Sequence, residues 1–363
     1  MKFFWQKGRV TVAIDAFNSE GGLENREIEG KTQGQIIRAR FFRHRGAMIS
    51  MFLLFAIAIF VFSSVGTNLF GVNIPGWWKW KITDMPELNQ CRAGIVGCPT
   101  LSVVPKFLGG SGVHLGQHPF GQDDIGHDYF ALVMRGAQRS ILIMLILGTI
   151  AGFIGTVVGA ISGYFRGFVD ASLMRLVDLI LIIPFLIPAA VIGYKFRNLG
   201  VVTLALFLGI FSWTGLARLV RGEFLSLRER EFVDAARVAG AGNRRIIFKH
   251  ILPNAAGVII VNVTLLMSSA ILLESALSFL GFGVVAPDVS LGLLISQYQD
   301  SFTTRPWLFW WPGLFIIVIT LTVNFIGDGL RDAFDPRQRR RLGRKEREES
   351  QKAVESHRMS AKG

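Results

Sequence analysis

Cysteine is nearly absent: Cys91 and Cys98 are the only two in 363 residues. A pair alone supplies too few ligands for a zinc site. Two readings stay open for it, a small disulfide ring on an oxidising side or two free thiols in a loop. A phosphate-binding loop is lacking as well. Glu29–Thr32 reads EGKT, but such a loop needs a glycine five positions before Gly30, where Asn25 stands. No apolar strand precedes it either, so ATP is not bound by that route. Acids are scarce within the long apolar runs, and Glu274 is the one carboxylate deep inside such a run. An enzyme working inside a membrane would need paired acids, or a Ser/Lys or His/Glu cluster at facing depths. Glu274 has no visible partner of that kind.

What the chain has in abundance is apolar length. Half of it is hydrophobic (51%), with 30 phenylalanines and a mean hydropathy of +0.43. That composition suits a polytopic membrane protein. The net charge of +13 could suggest nucleic acid, but the basic residues follow the apolar runs instead, and no nucleic-acid partner is expected. Apolar runs cover 47–67, 140–164, 171–194, 201–220, 255–280 and 310–326. Each is long enough for a hydrocarbon core of about 30 Å, which takes about 20 helical residues. With an inside N-terminus, inside segments hold thirty of the 39 Lys and Arg residues and outside segments nine. The positive-inside rule then puts both termini in the cytoplasm. The arm before the first run is too long for a secretory signal, so that run is a retained anchor.

The expected architecture is therefore an all-α polytopic membrane protein with six transmembrane helices. A cytoplasmic arm (1–46) precedes the first helix (47–67), and an extracytoplasmic loop (68–139) carries both cysteines. A five-helix core (140–330) and a basic cytoplasmic tail (331–363) follow. In the second run Gly148, Gly152, Gly155, Gly159 and Gly163 recur at steps of four, three, four and four. Those steps put all five on one helix face, a packing seam where backbones approach closely. In the third run Arg175 and Asp178 lie one turn apart and can pair, while Pro184 and Pro188 kink it. Arg218 and Arg221 read as snorkelling anchors. Glu274 has two open readings, pathway lining and structural hydrogen bonding.

The organising stretch is 228–254, the longest polar interruption in the second half. Phe232, Ala235, Ala236 and Ala239 recur at helical spacing as a Phe knob beside an alanine platform, and Glu231, Asp234 and Arg237 take the other face. Gly240 and Gly242 permit a helix end, Asn243 is a candidate N-cap for a second short helix, and Pro253 marks a bend before the next run. Two short helices joined by a glycine elbow are expected within 229–245, on the cytoplasmic side. A gated channel would not need such an elbow. Near the end of the first loop, His118–Asp128 reads HPFGQDDIGHD. Its carboxylates and histidines admit a metal reading; a glycine-hinged turn whose acids cap the next helix is preferred.

Four strings carry a family resemblance that spans about Phe41 to Arg337. Ala235, Ala236, Gly240, Leu252 and Pro253 resemble the "EAA" signature of ABC importer permeases, with Asp234 in place of the name-giving glutamate and His250 where isoleucine is common. His118–Asp128 is similar to the "HPxGTDxxGRD" signature of dipeptide and oligopeptide permeases, with Gln122 for threonine and His127 for arginine. Leu272–Gly281 (LLESALSFLG) and Asp328–Pro336 (DGLRDAFDP) are similar to the same group. The resemblance implies a type I ABC importer permease, one half of a pathway for short peptides, with nickel or glutathione as alternative cargo. It implies that a coupling helix carrying Glu231, Phe232, Asp234, Ala235, Ala236, Arg237, Ala239 and Gly240 docks on a cytoplasmic ATPase. It further implies a second, homologous permease subunit, two ATPase subunits that hold ATP and Mg, and an extracytoplasmic solute-binding protein.

Overall fold

The computed structural model describes residues 33–69, 72–90, 96–102, 112, 114–196 and 199–334. The EGKT string, Cys91 and the tail from Asp335 onward lie outside the described residues. Within hydrocarbon the backbone has only itself to bond to, so the apolar runs coil into helices. In chain order these are α1 (Gln33–Arg43), α2 (Arg45–Ser64), α3 (Tyr129–Phe165), α4 (Gly167–Ile182) and α5 (Leu186–Phe196). Then come α6 (Val201–Ser212), α7 (Thr214–Arg228), α8 (Glu231–Val238), α9 (Asn243–Phe279), α10 (Leu291–Tyr298) and α11 (Trp307–Phe334). A small antiparallel hairpin, β1 (Thr67–Leu69) with β2 (Val72–Ile74), follows α2.

Four helices, α2, α3, α9 and α11, are each long and apolar enough to cross a membrane, and two bent pairs raise the number to as many as six. The pair α4–α5 bends by 76° and α6–α7 by 42°. Pro184 lies in the first break, where a residue without an N–H ends a helix cheaply. Pro253 behaves differently from the expected bend. A π-helical turn over Ile246–Ile251 lets the Leu252 N–H reach the Ile247 carbonyl, and the helix passes through the proline unbroken. The fifth span is therefore 37 residues long, beginning at Asn243.

The span α3 runs through the middle, with α6, α7 and α9 packed along it. Lipid is as apolar as a leucine, so helices associate in it by close van der Waals packing. The glycine steps on α3 supply that packing against two different neighbours. Gly148 faces Met267 and Gly152 faces Val263 of α9, whereas Gly155, Gly159 and Gly163 face Leu216, Val220 and Phe224 of α7. One seam on α3 thus serves two partners. At the N-terminal end of α2, Gly329 of α11 lies against Ala47, and the His44 ring accepts the Ala47 N–H at 3.0 Å as the helix cap.

Charged side chains pair between spans rather than along them. Asp178 pairs with Arg218 of α7, not with Arg175, and Asp170 takes a two-pronged contact from Arg221 at 2.5 and 2.6 Å. Both arginines expected as snorkelling anchors therefore tie α7 to α4. Proximity in sequence gave the wrong partner because α4 and α7 present these residues to each other across their packing contact.

The segment between α2 and α3 is pinned by two histidine–carboxylate pairs. His118 Nδ1 lies 2.7 Å from Asp128 Oδ1, both buried, and the Asp128 Oδ2 accepts from Trp78 Nε1 at 2.7 Å and from Ala131 N at 2.9 Å. Asp128 is thereby the N-cap of α3. Burial pushes its carboxyl above the usual carboxylate range, against the hydrogen bonds from His118, Ala131 and Trp78 that lower it. His127 Nδ1 lies 2.6 Å from Asp123, whose Oδ1 also accepts from the backbone N–H groups of Ile125, Gly126 and His127. Gln122 Nε2 donates to the Glu87 and Gly126 carbonyls. The string is a turn built from its own acids, and no set of three or more metal-ligating side chains is present among the described residues. Cys98 is disulfide-bonded.

Candidate functional site

The polar interruption folds as a short helix seated on the ends of three spans. In α8, Glu231 and Asp234 lie in the first turn and Arg237 in the last, each at the helix end whose dipole it complements. Asp234 and Arg237 also pair at 3.0 Å, an exposed contact worth about 0.3–0.5 kcal/mol. The helix then stops by a paired-carbonyl closure. The Gly240 N–H reaches the Arg237 carbonyl at 2.9 Å and the Ala241 N–H reaches that of Ala236 at 3.0 Å. This closure needs a left-handed residue, and Gly240 has φ +78°. An added Cβ there would meet nothing within 4 Å. The glycine is required for its conformation and not for space.

The sequence pattern left open which residue seats α8. Val233 is fully buried, among Val220 and Phe224 of α7 and Ile246 and Ile251 of α9. Ala236 is half-buried beside it, while Phe232, Ala235 and Ala239 are exposed. Val238 is 90% exposed and was not expected at the site. A valine fills the crevice between two spans better than an alanine, so the helix turns its larger β-branched side chain inward. The outward face then runs through Ala235, Val238 and Ala239, with Phe232 at its edge. An apolar residue one turn beyond Ala235 was the signal available for Val238.

The second piece of the elbow is not a separate helix. Gly242, and not Asn243, is the N-cap residue, and 243–245 open the fifth span. The Asn243 side chain does different work: its Oδ1 accepts the Tyr164 hydroxyl at 2.8 Å, at the end of α3. Arg228 donates to the Tyr164 carbonyl at 2.6 Å, and Arg166 pairs with Glu229. These bonds join the ends of α3, α7 and α9 around the small core in which Val233 of α8 is buried.

Glu274 sits elsewhere, fully buried in α9. Its carboxylate accepts from Ser278 at 2.7 Å and from Ser140 of α3 at 3.3 Å. Ser278 lies 3.4 Å from Ser290, the N-cap of α10. This hydroxyl cage joins α3, α9 and α10, a short buried helix in the connection between α9 and α11 that the apolar pattern did not announce. The geometry matches the hydrogen-bonding reading of Glu274, since hydroxyls from three elements surround it.

A chain that is predominantly helical over its described residues, with up to six spans, two of them broken, and a short exposed helix braced on span ends, is a multi-pass membrane transport subunit. Residues 155–340 match the family described as "Binding-protein-dependent transport system inner membrane component". The chain belongs to that family, and its fold is that of a type I ABC importer permease. Among its relatives is an "Oligopeptide transport system permease protein OppC" of Haemophilus influenzae, 35% identical over 87% of this chain and 93% of that one. A protein of the same description from Mycobacterium tuberculosis is 45% identical over 61% of this chain and 77% of its own length. A solved inward-facing methionine ABC transporter, MetNI, is similar at TM-score 0.49 and 20% identity, over 57% of this chain and 97% of that one.

Proposed function

We propose that this chain forms half of the membrane passage of an importer for short peptides and receives its driving motion through α8. The observation that carries the reading is the outward apolar face of α8, held on three span ends by Val233, Tyr164 and Asn243. Cargo class comes from the relatives described as oligopeptide permeases. In this reading a second, homologous permease completes the passage, and two cytoplasmic ATPases bind ATP with Mg and dock on the two elbows. An extracytoplasmic solute-binding protein delivers the peptide to the side that carries His118–Asp128.

The assembled importer, reconstituted in liposomes with its binding protein, should accumulate a labelled peptide only when ATP is supplied on the ATPase side. Uptake of nickel or glutathione with none of peptide would reassign the cargo within the family.

Both termini and α8 lie in the cytoplasm in this reading, motivated by the thirty-to-nine division of basic residues. An impermeant maleimide should label Trp77→Cys in intact cells and Val238→Cys only after permeabilisation; both positions are exposed. Labelling of the 238 site from outside would invert the topology.

A further inference from the structure

The first helix, α1, has no part in the elbow and lies at a different depth. Its half-buried side chains Ile37 and Phe41 are one turn apart, and the helix packs on α11. His44, in the break after α1, pairs with Asp332 of α11 at 3.4 Å. Depth follows from α11. Its last residue, Phe334, lies on Gly257 of α9, where the apolar run 255–280 begins. The core that seats α8 uses Ile251 and Ile246, which come 6 and 11 residues before Gly257, or about 9–16 Å further out along the helix. Thus α1 meets the bundle at the hydrocarbon boundary, whereas α8 stands clear of it.

The other side of α1 mixes apolar and cationic side chains. Ile36, Ala39 and Phe42 recur every three residues and are exposed. They form a stripe roughly 180° around the helix from Ile37 and Phe41. Arg38 borders the stripe with its guanidinium over the Phe42 ring, 5.6 Å from the ring centre. Arg43 follows in the last turn and Arg45 in the first turn of α2, and all three arginines are exposed. No Asp or Glu occurs from Gln33 to Arg45. Arg45 stands at the positive end of α2 with no acid in that turn, a place that favours an anion. One turn beyond it begins the lipid-facing side of α2, with Ile49 and Phe52 67% and 74% exposed. An acidic protein surface would match the arginines and leave Ile36 and Phe42 without apolar cover. The edge of a bilayer supplies acyl chain and phosphate together.

We propose that α1 is an interfacial anchor that binds anionic lipid. Ile36, Ala39 and Phe42 enter the acyl boundary, while Arg38, Arg43 and Arg45 hold headgroup phosphates. A helix of this make-up binds through its buried apolar area plus attraction to anionic lipid.

The test uses the full chain in lipid nanodiscs without ATPases or cargo, so its outcome is independent of the importer reading. A nitroxide is attached to Ala39→Cys without reductant, and the unsubstituted chain is carried through the same labelling as background. Collisions of the nitroxide with oxygen, which concentrates in acyl chains, are compared with those of a water-soluble nickel chelate. In discs of equal parts phosphatidylglycerol and phosphatidylcholine, the oxygen-to-nickel ratio should be that of a lipid-buried site. In pure phosphatidylcholine it should fall severalfold. Replacing Arg38, Arg43 and Arg45 together by glutamine should raise the phosphatidylglycerol fraction needed for the same ratio, because each arginine near an anionic surface contributes about fivefold to binding. The corresponding lysine variant keeps the charges and should behave as wild type, which separates charge from helix formation. Low accessibility to both agents would mean that protein covers α1, and would overturn the proposal. An equal ratio in the two lipid compositions would overturn it too, whether the label is buried or wet. So would a glutamine variant with wild-type lipid dependence, or a lysine variant as impaired as the glutamine one.

Discussion

Gly159→Leu is expected to prevent recovery of a folded chain. A Cβ at Gly159 would lie 2.5 Å from the Ala217 carbonyl oxygen, 2.7 Å from Val220 Cβ and 3.0 Å from the Arg221 amide nitrogen. Two of those three atoms are backbone, which cannot rotate aside. Overpacking usually costs about 1–3 kcal/mol, and a branched side chain against a neighbouring helix backbone belongs at or beyond the top of that range. Because Arg221 also holds Asp170, parting α3 from α7 strains the link to α4. Gly152→Ala is the contrasting variant. Its Cβ would lie 2.9 Å from Val263 Cγ2, a side-chain atom, so a small adjustment of one valine admits it. Detergent-extracted yield, size-exclusion profile and thermal midpoint should separate the two variants clearly. Wild-type behaviour of Gly159→Leu would show that α3 and α7 do not meet as described.

The second large effect is expected at the elbow. Val238→Glu puts a charge on a residue that is 90% exposed and absent from the buried cores, so the spans should remain folded and inserted. Loss of one central apolar contact at a partner surface costs about 2 kcal/mol when it is a hot spot, which corresponds to roughly 30-fold weaker ATPase binding. Gly240→Val acts by another route. It forces a β-branched residue to φ +78°, a conformation that costs on the order of 1–3 kcal/mol, so the closure after α8 should rearrange. Pull-down of the ATPases and peptide uptake, at matched membrane levels, should fall for both. Unimpaired uptake in both variants would leave α8 as a connecting segment with no partner.

The face of α8 expected to point outward is exposed at Phe232, Ala235 and Ala239, and Val238 extends it. Local spacing did not show which residue seats the helix: Val233 is buried in one small core with Phe224, Ile246 and Ile251, up to 18 positions away in sequence. The same limit applies to Arg218 and Asp178, forty residues apart and paired. Local spacing finds partners within one helix and is blind to those on another.

The sequence by itself determined the class of this protein: apolar runs of spanning length compel helices, because hydrocarbon offers the backbone no other hydrogen-bond partner. It also marked Gly240 and Gly242 as positions where a helix can end, since glycine accepts a left-handed backbone without steric cost. Tertiary structure alone decided which helices share the α3 glycine seam, how far α8 is rotated, and that Pro253 leaves α9 continuous. Each of these outcomes depends on close contact between segments distant in the chain, and such contact is settled by shape once all the helices are present.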